Sequence, residues 1–175
     1  MRLLLAFALA ALALQATAQP KPEKSAWEEE QERRGWTESE VKLPAFPKAE
    51  GLIEFEVIGG SFRFFIDPES LAVGPDGVVR YTLLARSPSG YANISYEGIR
   101  CASGSYKVFA HGNDGKWASR ESEWRRIEAK SMNAWHHELR RTYFCPNSQP
   151  IETGAEGVDA LRRRGHPAVS ITRFH

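Results

Sequence analysis

Val78-Val79-Arg80-Tyr81-Thr82-Leu83-Leu84-Ala85-Arg86 is the stretch that decides the fold. Val79, Tyr81, Leu83 and Ala85 fall on one side of a period of two, and Arg80, Thr82 and Arg86 fall on the other, as a strand requires. Turn sequences bracket it: Gly74-Pro75-Asp76-Gly77 before, Ser87-Pro88-Ser89-Gly90 after. A chain that enters and leaves a strand through turns this short comes back beside itself, so the neighbours of this strand are antiparallel.

The same alternation extends outward. Ile53, Phe55 and Val57 alternate with Glu54 and Glu56. Phe62 to Ile66 is a short run that the sequence closes at Asp67-Pro68, a turn signal, before Leu71 and Val73. From Tyr91 to Cys101, Ile94 and Tyr96 oppose Asn93, Ser95 and Glu97; Tyr106, Val108 and Ala110 then lead to Gly112-Asn113-Asp114-Gly115. Helical spacing follows. Ser131 is placed to cap a helix running to about Tyr143, on which Met132, Trp135, Leu139 and Tyr143 make one buried stripe. Ala155 to Arg164 reads as a second helix, with Val158 and Leu161 inward and Gly165 as its stop, and Val169 with Ile171 as a short closing strand. The fold class is α+β: an antiparallel β-sheet of about five or six strands with a C-terminal helix packed on one face.

The chain has 175 residues, enough for one domain of ordinary size. Residues 1–18 read as a signal peptide: Arg2, an apolar run from Leu3 to Leu14 too short to span a bilayer, then Ala16-Thr17-Ala18, with cleavage between Ala18 and Gln19. Residues 19–50 form a polar leader, mobile or partly helical, with a capping-box spacing at Ser25 and Glu28 and with Trp27 and Trp36 as docking points. Residues 51–175 are the single α+β domain. Lys and Arg total 23 against 22 Asp and Glu, so nothing calls for a nucleic-acid partner. No mature membrane span remains after the leader.

Export sets the reading of the two cysteines. In an oxidising compartment, Cys101 and Cys145 are expected to bridge, a catalytic thiol being the alternative. Catalytic signatures are scarce. His136-His137-Glu138 places adjacent histidines about 100° apart on a helix, and the His-Glu-x-x-His zinc pattern is missing. There is no Gly-x-Ser-x-Gly elbow, phosphate loop or dinucleotide fingerprint, so no catalytic residue, metal or cofactor is expected. Arg80, Arg86 and Arg100 share one sheet face with Thr82, either as a solvated face or as an anion-recognising surface.

Phe64-Phe65-Ile66-Asp67-Pro68-Glu69-Ser70-Leu71, Asp76-Gly77-Val78-Val79-Arg80-Tyr81 and Ser95-Tyr96-Glu97-Gly98-Ile99-Arg100-Cys101 resemble the CNP-like family, the cryptic neisserial protein relatives, which are small exported bacterial proteins. Trp124-Arg125-Arg126-Ile127 and Tyr143-Phe144-Cys145-Pro146 extend the resemblance, so it covers roughly Leu52 to Pro146. It brings no catalytic motif. A looser likeness runs to surface-adhesin protein E-like domains through Asp67, Ser70, Cys101, Trp124 and Cys145, and implies an antiparallel sheet flanked by helices and binding rather than catalysis.

The reading is therefore a periplasmic cell-envelope domain that binds a protein or small ligand without catalysing a reaction. Its rivals are a periplasmic hydrolase built from scattered residues such as His136 and Asp67, and a surface-displayed adhesin.

Overall fold

The computed structural model describes residues 35–59, 61–120, 122–128 and 134–169. The signal peptide and its cleavage site at Ala18 and Gln19, the Ser25/Glu28 cap, Trp27, Ser131, Met132 and Ile171 lie outside them.

Seven strands make one antiparallel sheet: β1 (Ile53–Phe55), β2 (Arg63–Val73), β3 (Val78–Arg86), β4 (Ala92–Arg100), β5 (Ser105–Asn113), β6 (Lys116–Ser119) and β7 (Arg125–Arg126). The order is sequential from β1 to β6. β6 and β7 both pair with β5, β6 near its C-terminal end and β7 at Ser105 and Tyr106. Arg80 pairs with Gly98 and Tyr81 with Glu97, the register that the alternation of β3 demands.

β2 runs through Asp67-Pro68, where the sequence reading placed a turn. The ladder to β3 jumps from Asp67↔Thr82 to Ala72↔Arg80, leaving Pro68 to Leu71 as an irregularity. Pro68 has no N–H to offer a partner, so it tolerates leaving the ladder. The Ser70 hydroxyl fills the gap: it donates to the Asp67 carbonyl at 2.8 Å and accepts from the Thr82 backbone N–H at 2.8 Å. The turn-forming chemistry is real, and the sheet uses it as a bulge.

The first helix is also reshaped. Among the described residues it has one α-helical turn, α1 (Ala134–Glu138), and then a π-helix from Leu139 to Phe144, closed by a Cys145 N–H to Arg140 carbonyl bond of 3.1 Å. The wider turn turns both Leu139 and Phe144 onto the sheet, each fully buried. α2 (Gly154–Arg162) starts at Thr153, whose hydroxyl accepts from the Glu156 N–H. Val169 lies in a turn, not in a closing strand.

The sheet is buried on both faces. On the first, Ile66, Val79, Tyr81 and Ile99 pack against Leu139, Tyr143, Phe144, Ile151 and Leu161. The second holds Val78, Tyr96, Phe109, Ala110 and Trp124, and what covers it is residues 36–47, here called the strap. Residues 36–47 form no helix and pack on this face. Trp36 meets Trp124 edge-on at 5.7 Å, Phe46 meets Trp117 at 5.1 Å, and the Trp117 indole donates to the Pro44 carbonyl at 2.9 Å. Glycines make room. A Cβ on Gly98 would stand 2.9 Å from the Phe109 ring and 2.8 Å from Val78, and one on Gly112 would stand 2.9 Å from the Phe46 ring.

Cys101, just past β4, and Cys145, just past the π-helix, stand at disulfide distance, with Cα atoms 5.4 Å apart. The pair fastens the helical layer to the sheet.

Candidate functional site

The helices cover only half of the first face. Along β3 and β4 the inward positions pair as Val79–Ile99, Tyr81–Glu97, Leu83–Ser95 and Ala85–Asn93. The Val79 end lies under the helical layer, and the Ala85 end lines a cavity of about 1140 Å³. Phe62, Phe64, Leu83, Ala85, Val108 and Trp135 give it apolar walls. Phe62 and Ile58 at its rim are exposed, and Trp135 stacks on Phe64 at 5.1 Å.

Glu97 sits at the boundary between the two halves. Its side chain is 4% exposed. One oxygen accepts from the Ser95 hydroxyl at 2.6 Å; the other accepts from His136 Nε2 at 2.8 Å and from the Tyr81 hydroxyl at 3.2 Å. Burial alone would raise the Glu97 carboxyl, but the charge and hydrogen bond of His136, joined by Ser95 and Tyr81, hold it below its ordinary value. Burial and the Glu97 charge push the Tyr81 hydroxyl well above its ordinary value. α1 carries His136, and β5 supplies Tyr106, which stacks on the imidazole at 3.7 Å. Both Glu97 oxygens are engaged, so the carboxylate is a structural anchor.

Beside it, Trp135 Nε1, which can only donate, and His136 Nδ1 are buried without a hydrogen-bond partner. Arg125, opposite Tyr106 in the ladder, lines the same cavity. Arg120 and His111, 2.9 Å apart, line it too, along with Glu123.

The second face explains the three arginines. Arg80, Arg86 and Arg100 do share it with Thr82, since Val78 pairs with Arg100 and Thr82 with Tyr96. It is not a solvated face. Arg80 makes a two-pronged contact with Asp76 at 3.0 and 2.6 Å, the two side chains being 7% and 1% exposed. Arg100 is buried with its guanidinium 3.9 Å from the centre of the Trp36 ring. Arg86 is half-buried, 5.3 Å from the Phe65 ring centre.

Asp76 also accepts from the Ser39 backbone N–H at 2.9 Å, and its carbonyl accepts from the Trp36 indole at 2.9 Å. Burial would raise its carboxyl, but hydrogen bonds from Arg80 and Ser39 hold it far below the usual carboxylate range. A turn residue in the sequence is the anchor of the strap in the structure.

Residues 31–162 match the model of the CNP1-like family. The chain is 32% identical, over 162 aligned positions, to Cryptic neisserial protein 1 of Neisseria gonorrhoeae (strain ATCC 700825 / FA 1090), covering 82% of this chain and 80% of that protein. The chain belongs to the CNP1-like family. No solved structure matches it.

The CNP1-like match takes in the strap, all seven strands and both helices, so the Glu97 network, the cavity and the Asp76 anchor all lie inside it. Of the hydrolase residues weighed from sequence, His136 meets Glu97, whereas the Asp67 carboxylate accepts from the Glu69 backbone N–H at 3.1 Å. Sequence reading passed over Glu97. The available signal was its parity: it shares a side of β4 with Ile99. Among the described residues, no group of three or more His, Cys, Asp or Glu side chains is placed to hold a metal ion, and no helix is long and apolar enough to cross a membrane.

Proposed function

We propose that this CNP1-like protein is an exported, periplasmic cell-envelope protein whose single domain binds a small, largely apolar ligand in the cavity beside Glu97, without catalysing a reaction on it. The observation that carries the binding reading is the half-covered sheet face. A packed core stops at the Tyr81–Glu97 row and continues as a cavity of about 1140 Å³ with aromatic and aliphatic walls. Two features support a binding role. The Ser95 hydroxyl donates to Glu97, and His136 Nε2 is directed at Glu97 and not at the hydroxyl. A carboxylate held below its ordinary range is also a weak general base. Export is supported by the signal-peptide features of residues 1–18 and by the disulfide-distance pair.

The cavity is tested with the neutral fluorophore N-phenyl-1-naphthylamine. Its emission should rise on the wild type and not on Ala85→Trp, which fills the cavity from β3. Equal enhancement on a folded Ala85→Trp protein refutes the site. Export is tested by N-terminal sequencing of periplasmic material, which should begin at Gln19; material beginning at Met1 refutes it.

The hydrolase rival draws on the Ser95–Glu97–His136 chain of hydrogen bonds. Ester hydrolysis abolished by Ser95→Ala at unchanged stability would replace the binding reading.

A further inference from the structure

We propose that the ligand of this cavity is an amphipathic carboxylate, its hydrocarbon part lying along Phe62, Phe64 and Ala85 and its head group seated between Arg125, Trp135 and His136. The inference rests on the cavity reading above and assigns the chemistry of its occupant.

At the His136 end, the acceptors of the Glu97 carboxylate are taken by Ser95, Tyr81 and His136. What the protein leaves over are donors. Trp135 Nε1 can only donate, is buried, and has no acceptor. Arg125 is exposed on the cavity lining and carries five N–H groups, no acceptor and a fixed positive charge. His136 faces Glu97 through Nε2 and borders the same end of the cavity. An occupant whose head group accepts hydrogen bonds complements these donors. Arg125 makes that acceptor anionic, and the planar fork of a guanidinium matches the two oxygens of a carboxylate.

The rest of the cavity fixes the other end of the molecule. Phe62, Phe64, Leu83, Ala85 and Val108 offer no hydrogen bonds from their side chains and remove apolar surface from water. Exposed Phe62 and Ile58 at the rim mark the side from which a hydrocarbon chain enters.

Calorimetric titration of the wild type, Arg125→Gln, Trp135→Phe and Ala85→Trp with octanoate, octan-1-ol and octylamine tests this at neutral pH. The wild type should bind octanoate at least tenfold more tightly than octanol, and octylamine more weakly still. Arg125→Gln and Trp135→Phe should each weaken octanoate at least fivefold and leave octanol within twofold. Octanol or octylamine binding as tightly as octanoate overturns the head-group assignment and leaves the apolar cavity standing. Octanoate binding that survives Ala85→Trp, or no binding of any of the three, overturns the assignment together with the cavity reading beneath it.

Discussion

Replacing Asp76 by Ala should destabilise the protein by about 3–5 kcal/mol, the range for removing one partner of a buried ion pair. Three losses combine. The Arg80 guanidinium, 7% exposed, is left without the carboxylate that it contacts at 3.0 and 2.6 Å. The Ser39 backbone N–H loses its acceptor, and with it goes one tie of the strap. The Val78 backbone N–H loses the 3.2 Å bond that closes the turn into β3. Against a typical total stability of about 5–15 kcal/mol, this is a large fraction. Urea unfolding followed by tryptophan fluorescence measures it, because Trp36 and Trp124 meet edge-on in the region that loosens. The double variant Asp76→Ala/Arg80→Met should recover part of the loss, since it no longer buries an unpaired charge. The pH profile adds a sign. The folded-state carboxyl is held far below its unfolded value of about 3.9. Its contribution is therefore fully present above about pH 4 and is lost as pH falls through the folded-state value. Asp76→Asn should flatten the acid limb of the stability curve. A loss under about 1 kcal/mol for Asp76→Ala, or an acid limb unchanged in Asp76→Asn, would refute the anchoring role.

Two further outcomes follow from the site and the cysteine pair. His136→Ala should cost about 3 kcal/mol by leaving the Glu97 carboxylate buried without its counter-charge, while His137→Ala should stay within about 0.5 kcal/mol, both read from denaturant midpoints. Equal effects of the two would show that the Glu97 pair carries no stability. Thiol titration of the native, non-reduced protein should find no free thiol, and Cys101→Ser should lower stability by about 2–4 kcal/mol; two titratable thiols in the native protein would refute the bridge.

Most of the sheet was legible because alternation is a local property. β3, β4 and β5 each show it, and their turns are short. β2 was cut in two because Asp67-Pro68 has the chemistry of a turn, and the distinction between turn and bulge depends on Thr82, twelve residues beyond Ser70. The second face was misjudged for a related reason. Arg80, Thr82 and Arg86 look like a solvated row when β3 is read alone, and only the strap shows that Asp76 neutralises Arg80 in a buried setting. Ser95 and Glu97 look polar because they line the cavity between the sheet and the helical layer. The π-turn leaves no mark in a period-based reading, since it arises when Leu139 and Phe144 must reach the same layer.

The strap and the helical layer come from opposite ends of the described chain, and each closes one side of a sheet spanning residues 53–126. That arrangement has an order in time. In a chain that emerges N-terminus first, residues 36–47 appear long before Trp117, 73 positions beyond Pro44, so the strap waits for its own docking surface to be built. The helical layer arrives after the last strand, and Cys145 after Cys101. The strap can close once Trp124 has emerged, whereas the helical layer closes last, and until it does the seven strands carry one exposed apolar side. The chain is most vulnerable to self-association in the interval between completing β7 and delivering residues 134–162.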